Sequence, residues 1–313
     1  MFADVQTYFD NSYIVRHMKF EIISNSKKRL LKLCKPIKGL FLNINILALF
    51  VITVNFSNNT MALTSSKYDY SFESESVALL KAEFRRDVEP LLIVPQDEIV
   101  NYALLLQTTL DVGQVKTESL QFILLIDRNP KVQVALLYWG SEGVGWQIVG
   151  ATSVSTGLPG RYEHFVTPLG IFEHSTSNPD FRANGTKNKL GFRGYGLKGM
   201  RIYDFGWVAA PRTWDNSGMG KLRLQMHATD PDLAEPYLGS IRSEGCVRIS
   251  AKLNDFIDRN GLLDQDYNKA EEETHLWVLR VDRTPTSTPG RFMVVVDSER
   301  KKRPNWSLNV ARF

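Results

Sequence analysis

Apolar positions first recur at helical spacing. From Ser76 onward, Val77, Leu80, Phe84 and Val88 mark one helix face until Pro90 stops the pattern. A second helix is predicted from Asp97 as N-cap, with Ile99, Tyr102, Ala103, Leu106 and Leu110 on one side and Gly113 beyond its end. At Leu120 the period falls to two. Stretches 120–126 and 131–139, separated by Asp127-Arg128-Asn129-Pro130, read as a hairpin in which Val132, Val134 and Leu136 alternate against Lys131, Gln133 and Ala135. Further strands are predicted over 146–155, 170–174, 201–204, 222–227, 276–281 and 291–296. This spacing favours a β-rich sandwich or barrel over alternating β-α units. Between them, 175–199 is rich in Gly and Asn and long enough to form a loop that shapes a cleft. One helix interrupts the strands: Ser250 is its N-cap, Leu253, Phe256 and Ile257 its apolar stripe, and Gly261 its end.

Composition is that of a globular chain: 313 residues, 43% hydrophobic and 23% charged. The formal charge of +4 is not spread evenly. Residues 1–62 hold eight of the 38 Lys/Arg and three of the 34 Asp/Glu, leaving 30 and 31 in 63–313. A nearly neutral body gives no electrostatic case for nucleic-acid binding. The basic excess, with Lys27, Lys28, Arg29, Lys32, Lys35 and Lys38, precedes a mostly apolar run over 40–54 and then Thr60-Met61-Ala62. A basic flank, an apolar centre and a small-residue end predict an export signal, with Met18 as an alternative start. At about 15 residues the run is short for a bilayer span, which needs roughly 20, so a retained inner-membrane anchor is the second reading and a buried helix the third. Export puts the protein in the periplasm or cell envelope. Cys34 would leave with a cleaved signal, and Cys246 would then be the one thiol of the mature chain. The organisation expected is signal or anchor over 1–62, a helical accessory segment over 63–118, a main domain over 119–265, and C-terminal strands and tail over 266–313.

Cys246 stands in Ser243-Glu244-Gly245-Cys246-Val247-Arg248, on the predicted turn into the Ser250-capped helix, where the helix end could help a thiolate modestly. His227 ends the run 221–227. Leu222, Leu224 and Met226 share one side of that strand, so Arg223, Gln225 and His227 share the other, away from the core. A thiol with an ordinary pKa near 8.5 is only a few per cent thiolate at pH 7; an imidazole within reach can take its proton on demand or hold the pair as ions. Gly245 permits a sharp turn, and the N–H groups of Gly245 and Cys246 could hold a developing oxyanion. Read without that histidine, Cys246 is a small buried hydrophobe and His227 a structural side chain.

His227, fifteen intervening residues and then Ser243-Glu244-Gly245-Cys246-Val247-Arg248 resemble the signature of the L,D-transpeptidase (YkuD) catalytic domain. Val154-Ser155-Thr156-Gly157 and Thr167-Pro168-Leu169-Gly170-Ile171-Phe172 appear in the order that family shows, and the resemblance covers about 120–260. It implies a β-rich fold that remodels peptidoglycan stem peptides. Cys246 would be the nucleophile that forms a thioester and releases D-alanine, and His227 the general base. Arg248 would bind a substrate carboxylate or brace the loop, with Ser243 and Glu244 in support. No metal or organic cofactor is implied. An amine acceptor would give a cross-link and water a shortened stem, as in an L,D-carboxypeptidase or cysteine amidohydrolase. The family often has a second histidine where Glu244 stands, and a carboxylate there would raise the thiol pKa. A catalytically silent peptidoglycan-binding module is therefore the rival from outside enzymology.

Other signals carry less. Gly194-Tyr195-Gly196-Leu197-Lys198-Gly199 fits a dinucleotide fingerprint without the flanking strand and helix. Asp204-Phe205-Gly206 imitates a kinase signature without its partners. His164 and His174 lack companions at metal-ligand spacing. Lys301-Lys302-Arg303 reads as a solvated charge run, or as a contact with an anionic wall or membrane surface.

Overall fold

A computed structural model describes residues 75–214 and 218–308. Its contacts divide the chain into Met1–Thr60 and Met61–Phe313, and every described residue lies in the second unit. The predicted signal or anchor over 1–62 lies outside the described residues. Among these, no helix is long and apolar enough to cross a membrane.

The described elements run, in chain order, α1 (Glu75–Asp87), α2 (Gln96–Val112), β1 (Gln121–Asp127), β2 (Val134–Ser141), β3 (Gly145–Ser153), β4 (Gly170–Glu173), β5 (Phe181–Arg182), β6 (Arg201–Pro211), β7 (Met219–Ala228), a 3-10 turn (Glu235–Tyr237), β8 (Val247–Ile249), α3 (Ala251–Arg259), α4 (Gln265–Glu271) and β9 (Phe292–Val296). The strands form two open sheets, ordered β3-β2-β1-β9-β4 and β5-β6-β7-β8, with no closed barrel among the described residues. The fold is sheet-rich with few helices, as the strand spacing predicts.

The hairpin forms with Leu124 opposite Leu137, but its expected alternation of buried and solvated positions does not hold. All eight residues of β2 are buried. The reason is that the first sheet is covered on both faces. Phe122, Leu124, Ile126, Leu137, Met293 and Val295 face the second sheet, meeting Leu224, Met226, Val247 and the α3 residues Leu253 and Phe256. Ile123, Leu125, Leu136, Tyr138 and Val294 face the other way, onto Tyr102, Leu106 and Leu110 of α2. The alternating apolar residues of each strand therefore feed two cores.

Helix α1 closes the side of the first core. Phe84 packs edge-on against Phe256 of α3 with ring centroids 5.2 Å apart, a burial that contributes about 2 kcal/mol. Helix α2 starts earlier than expected: Pro95 is its N-cap and Asp97 sits in the first turn, where its charge complements the helix dipole. Ser250 caps α3 as predicted, its hydroxyl accepting from Leu253 N–H. The strand expected over 276–281 does not form. Val278 and Leu279 pack beside Tyr267, Leu279 N–H bonds back to Leu276 C=O, and the segment is a turn without a partner strand.

A buried ionic knot ties the segment after β4 to the start of β6 and to the connection between α3 and α4. His174 donates Nδ1–H to Leu263 C=O at 2.8 Å and presents Nε2 to Asp180 at 2.9 Å, so both ring nitrogens act as donors. Asp180 also accepts from Arg201 Nε at 2.6 Å and from Asp204 N–H at 2.9 Å. Arg201, fully buried, reaches Asp264 at 2.9 Å, and its guanidinium lies 4.8 Å from the Tyr267 ring. Burial alone would lower the His174 pKa, but the charge and hydrogen bond of Asp180 outweigh it and the net shift is upward. The knot uses up His174, and it is structural.

Candidate functional site

Strand pairing decides where the thiol sits. β8 runs parallel to β7 with Met226 opposite Val247 and His227 opposite Arg248. Met226 and Val247 point into the core, so Cys246, His227 and Arg248 share the opposite face of the sheet. Cys246 lies on the bend one residue before β8, two positions back from the partner of His227 if the line of the strand is extended to it. With about 4.8 Å between strands and about 3.3 Å per residue, its Cα is roughly 8 Å from that of His227. Cys246 does lie on a turn, as expected, but the turn leads into β8 and not directly into a helix. Three residues of strand separate it from Ser250, which puts the α3 end beyond the range of a useful dipole effect.

All three sequence motifs meet at this strand. Ser155 exchanges backbone hydrogen bonds with Arg248, both at 2.9 Å, and Ser243 N–H donates to Thr156 C=O at 3.0 Å. Thr167 Oγ1 accepts from Gly157 N–H at 2.9 Å and donates to Gly245 C=O at 2.7 Å. One buried hydroxyl thus joins the second and third motifs to the residue before the thiol. Gly245 has φ +129°, and a Cβ there would come within 2.9 Å of Leu222 and 3.1 Å of Phe165, so the turn excludes a side chain. Ser243 Oγ donates to Cys246 C=O at 2.6 Å and accepts from Gly245 N–H at 3.1 Å. Ser243 is therefore a loop brace. It also occupies one of the two N–H groups expected to hold an oxyanion, and a substrate oxygen must compete with it. Glu244 is exposed, and its backbone carbonyl accepts from Phe165 N–H.

His227 departs from expectation in one respect. It faces away from the first core, yet it is buried at 4% exposure, because Tyr195 from the 175–199 loop lies edge-on against its ring at 4.6 Å. The Gly-rich stretch that imitates a dinucleotide motif makes this possible: Gly196 has φ +78° and packs where a Cβ would come within 2.8 Å of Ala228. His227 Nδ1 is 2.6 Å from Ala228 C=O. A carbonyl oxygen only accepts, so Nδ1 carries the proton and Nε2 keeps its lone pair. Burial lowers the His227 pKa to about 4, assisted by the charge of Arg248 and opposed by the bond to Ala228.

The partly buried Cys246 thiol donates to Arg223 C=O at 3.8 Å. Burial is the main cause that pushes its pKa up to about 11; Gln225 N–H and Arg248 pull it down, and Glu244 and Asp204 add smaller upward pushes. At neutral pH both groups are uncharged. The thiol's hydrogen bond goes to Arg223 C=O and not to His227, so the resting structure holds no standing thiolate–imidazolium pair. The expected result of a pH titration of iodoacetamide alkylation, followed by intact mass, is a midpoint about 2.5 pH units above that of an unfolded cysteine and a rate at pH 7.5 about 300-fold lower. A midpoint near 8.5 would show that the thiol is not held as described.

No family model matches the chain, and no curated protein matches it. One solved structure that it resembles is a fused Zn-dependent amidase/peptidase/peptidoglycan-binding-domain protein of Clostridium acetobutylicum ATCC 824, at 9% identity and a TM-score of 0.26, with 66% of this chain and 65% of that one covered. The chain thus spans about 65% of that protein's length. A likeness this slight carries no argument about either fold or chemistry.

Several residues of the site were not legible in the motifs. Asp204, fully buried, holds Arg223 Nε at 2.7 Å and Gln225 Nε2 at 2.8 Å. Gln225, which stands opposite Cys246 by extension of the register, accepts from Tyr195 O–H at 3.2 Å. Asp204, Gln225 and Tyr195 thus form a polar chain between the second sheet and the loop over His227. The alternation that set Arg223, Gln225 and His227 on one side was the available signal. Among the described residues no group of three or more His, Cys, Asp or Glu is placed to hold a metal ion.

Proposed function

We propose that the chain is an exported peptidoglycan L,D-transpeptidase working through a Cys246 thioester. The observation that carries this reading is the placement of Cys246 and His227 on one sheet face, two residues out of register, with the histidine held as the Nδ1–H tautomer. The resemblance of three motifs supplies the substrate, and their joining around Gly245 supports reading them as one unit.

In the proposed cycle the Cys246 sulfur attacks the carbonyl preceding the terminal D-alanine of a tetrapeptide stem as its proton passes to His227 Nε2. The imidazolium returns that proton to the departing amine, D-alanine leaves, and the acyl group stays on sulfur. An incoming amine then attacks the thioester, gives its proton to His227, and the proton reaches the released thiolate. Water in place of the amine would shorten the stem. Within this proposal 1–62 directs the chain to the envelope or anchors it there, 63–118 accompanies the catalytic region, 119–265 carries the chemistry, and 266–313 adds β9 between β1 and β4.

The test is to incubate purified sacculi with intact protein and with Cys246→Ala and to compare the muropeptides released by digestion. Direct stem-to-stem cross-links made only by the intact protein are the expected result. Shortened stems without cross-links would replace the amine acceptor with water, and identical products from both proteins would sink the proposal.

A further inference from the structure

Beside the Cys246 face lies a half-open cavity of about 1260 Å³ whose charged lining residues are all basic. Lys131, Arg161, Arg242 and Arg248 contribute from the body of the domain, and the C-terminal run Lys301-Lys302-Arg303 contributes from the other side. This is unexpected in a region that holds 30 Lys/Arg against 31 Asp/Glu. None of the seven makes an ion pair among the described residues, whereas arginines elsewhere in the protein, such as Arg201, Arg182 and Arg283, meet carboxylates.

The cavity's arginines are instead held by neutral partners. Arg242 stacks on the Tyr237 ring at 4.2 Å. Arg248 lies over Phe192 at 5.7 Å and donates to Arg242 C=O at 3.3 Å, while its Nε is buried without a hydrogen-bond partner. Arg303 donates to the carbonyls of Leu308, Pro130 and Gly239 at 2.6, 3.1 and 3.2 Å. Rings and carbonyls fix the guanidinium groups without neutralising them, so their positive field is ordered in advance and unspent. Asp230 accepts from Arg193 and its own loop, Glu235 accepts from Ala251 N–H, and the exposed Glu244 acts on Arg248 through its charge alone, without an ion pair.

We infer that this cavity is a recognition site for a ligand bearing several carboxylate or phosphate groups, bound between Lys301-Lys302-Arg303 and Arg242-Arg248. The inference goes beyond acyl transfer, since it requires no reaction at Cys246. Arg248 belongs to both regions, being two residues from the thiol on the same strand face, so an occupant of the cavity would extend toward the sulfur.

The test is calorimetric titration of the full chain with sodium tripolyphosphate and, separately, with tricarballylate, at low and at physiological salt. Binding of at least one probe, weakened about tenfold or more in the Arg242→Gln/Lys301→Gln/Lys302→Gln variant, is expected. The exposed-loop control Lys187→Gln/Lys189→Gln/Lys198→Gln should bind as the unaltered protein does. Equal weakening in both variants would reduce the effect to general surface charge and overturn the inference, as would no binding of either probe. Cys246→Ala should bind normally, so loss of product formation in that variant and failure of the cavity remain separate results. The preferred probe tells whether the natural ligand presents phosphates or carboxylates.

Discussion

His227→Gln is expected to lower the rate of thioester formation about 10²- to 10⁴-fold, the usual contribution of a positioned general base. The argument rests on two uncharged groups. A thiol with a pKa of about 11 offers only about 10⁻⁴ of itself as thiolate at pH 7, so the proton must leave as the sulfur attacks. Nε2 is the lone pair that can take it, because Nδ1 is bound to Ala228 C=O. Glutamine can fill the space and keep hydrogen bonds but cannot accept a proton. The pH profile separates this role from a structural one. In the unaltered protein His227 must be neutral to act, and its pKa of about 4 means that activity is lost only as pH falls through that value, well below the ordinary 6.5. In His227→Gln only pre-formed thiolate attacks, so the rate should climb about tenfold per pH unit toward 11. Intact-mass detection of the acyl-enzyme with a tetrapeptide donor gives both curves. Parallel profiles of similar height would remove His227 from the mechanism.

The second large effect is on stability. Asp180→Asn should lower the free energy of unfolding by about 3–5 kcal/mol, the cost of leaving buried charge without its counter-charge. Asp180 is 4% exposed and serves His174, Arg201 Nε and the Asp204 amide at once. An amide cannot accept from all three, and it withdraws the negative charge that keeps His174 protonated. By contrast, Arg86→Ala removes an exposed pair with Asp87 at 2.7 Å, which solvent screens, so its unfolding midpoint should stay near that of the unaltered protein. Guanidinium unfolding with unchanged slope measures both. A midpoint for Asp180→Asn as close to the unaltered protein as that of Arg86→Ala would show the knot to be energetically idle.

Local signals in the sequence located what local physics decides. Helix α1 with its Pro90 stop, the β1–β2 hairpin and the Ser250 cap all follow from residues within a few positions of one another. What remained hidden depends on neighbours far along the chain. The burial of both sides of β2 requires α2 and the second sheet, which no window of the hairpin contains. β8 is three residues long and exists through its pairing with β7, so local signals miss the strand that separates the Cys246 turn from Ser250. The 276–281 stretch has strand-like residues but meets no edge to pair with. At the site, the alternation of 222–227 gave the direction of His227, while its cover by Tyr195 could not be read from a loop whose glycines resemble a nucleotide motif.

Sealing one sheet between two cores has an evolutionary consequence. The strands that set the protein's stability present no surface to any ligand, while the thiol, the imidazole and the basic chamber belong to the outer side of the other sheet and to loops laid over it. Lengthening or shortening the part of the loop over 186–192, beyond Asp180 and β5, would change which molecules gain entry without disturbing what keeps the polypeptide folded. Selectivity and robustness are therefore free to drift apart in descendants of this architecture.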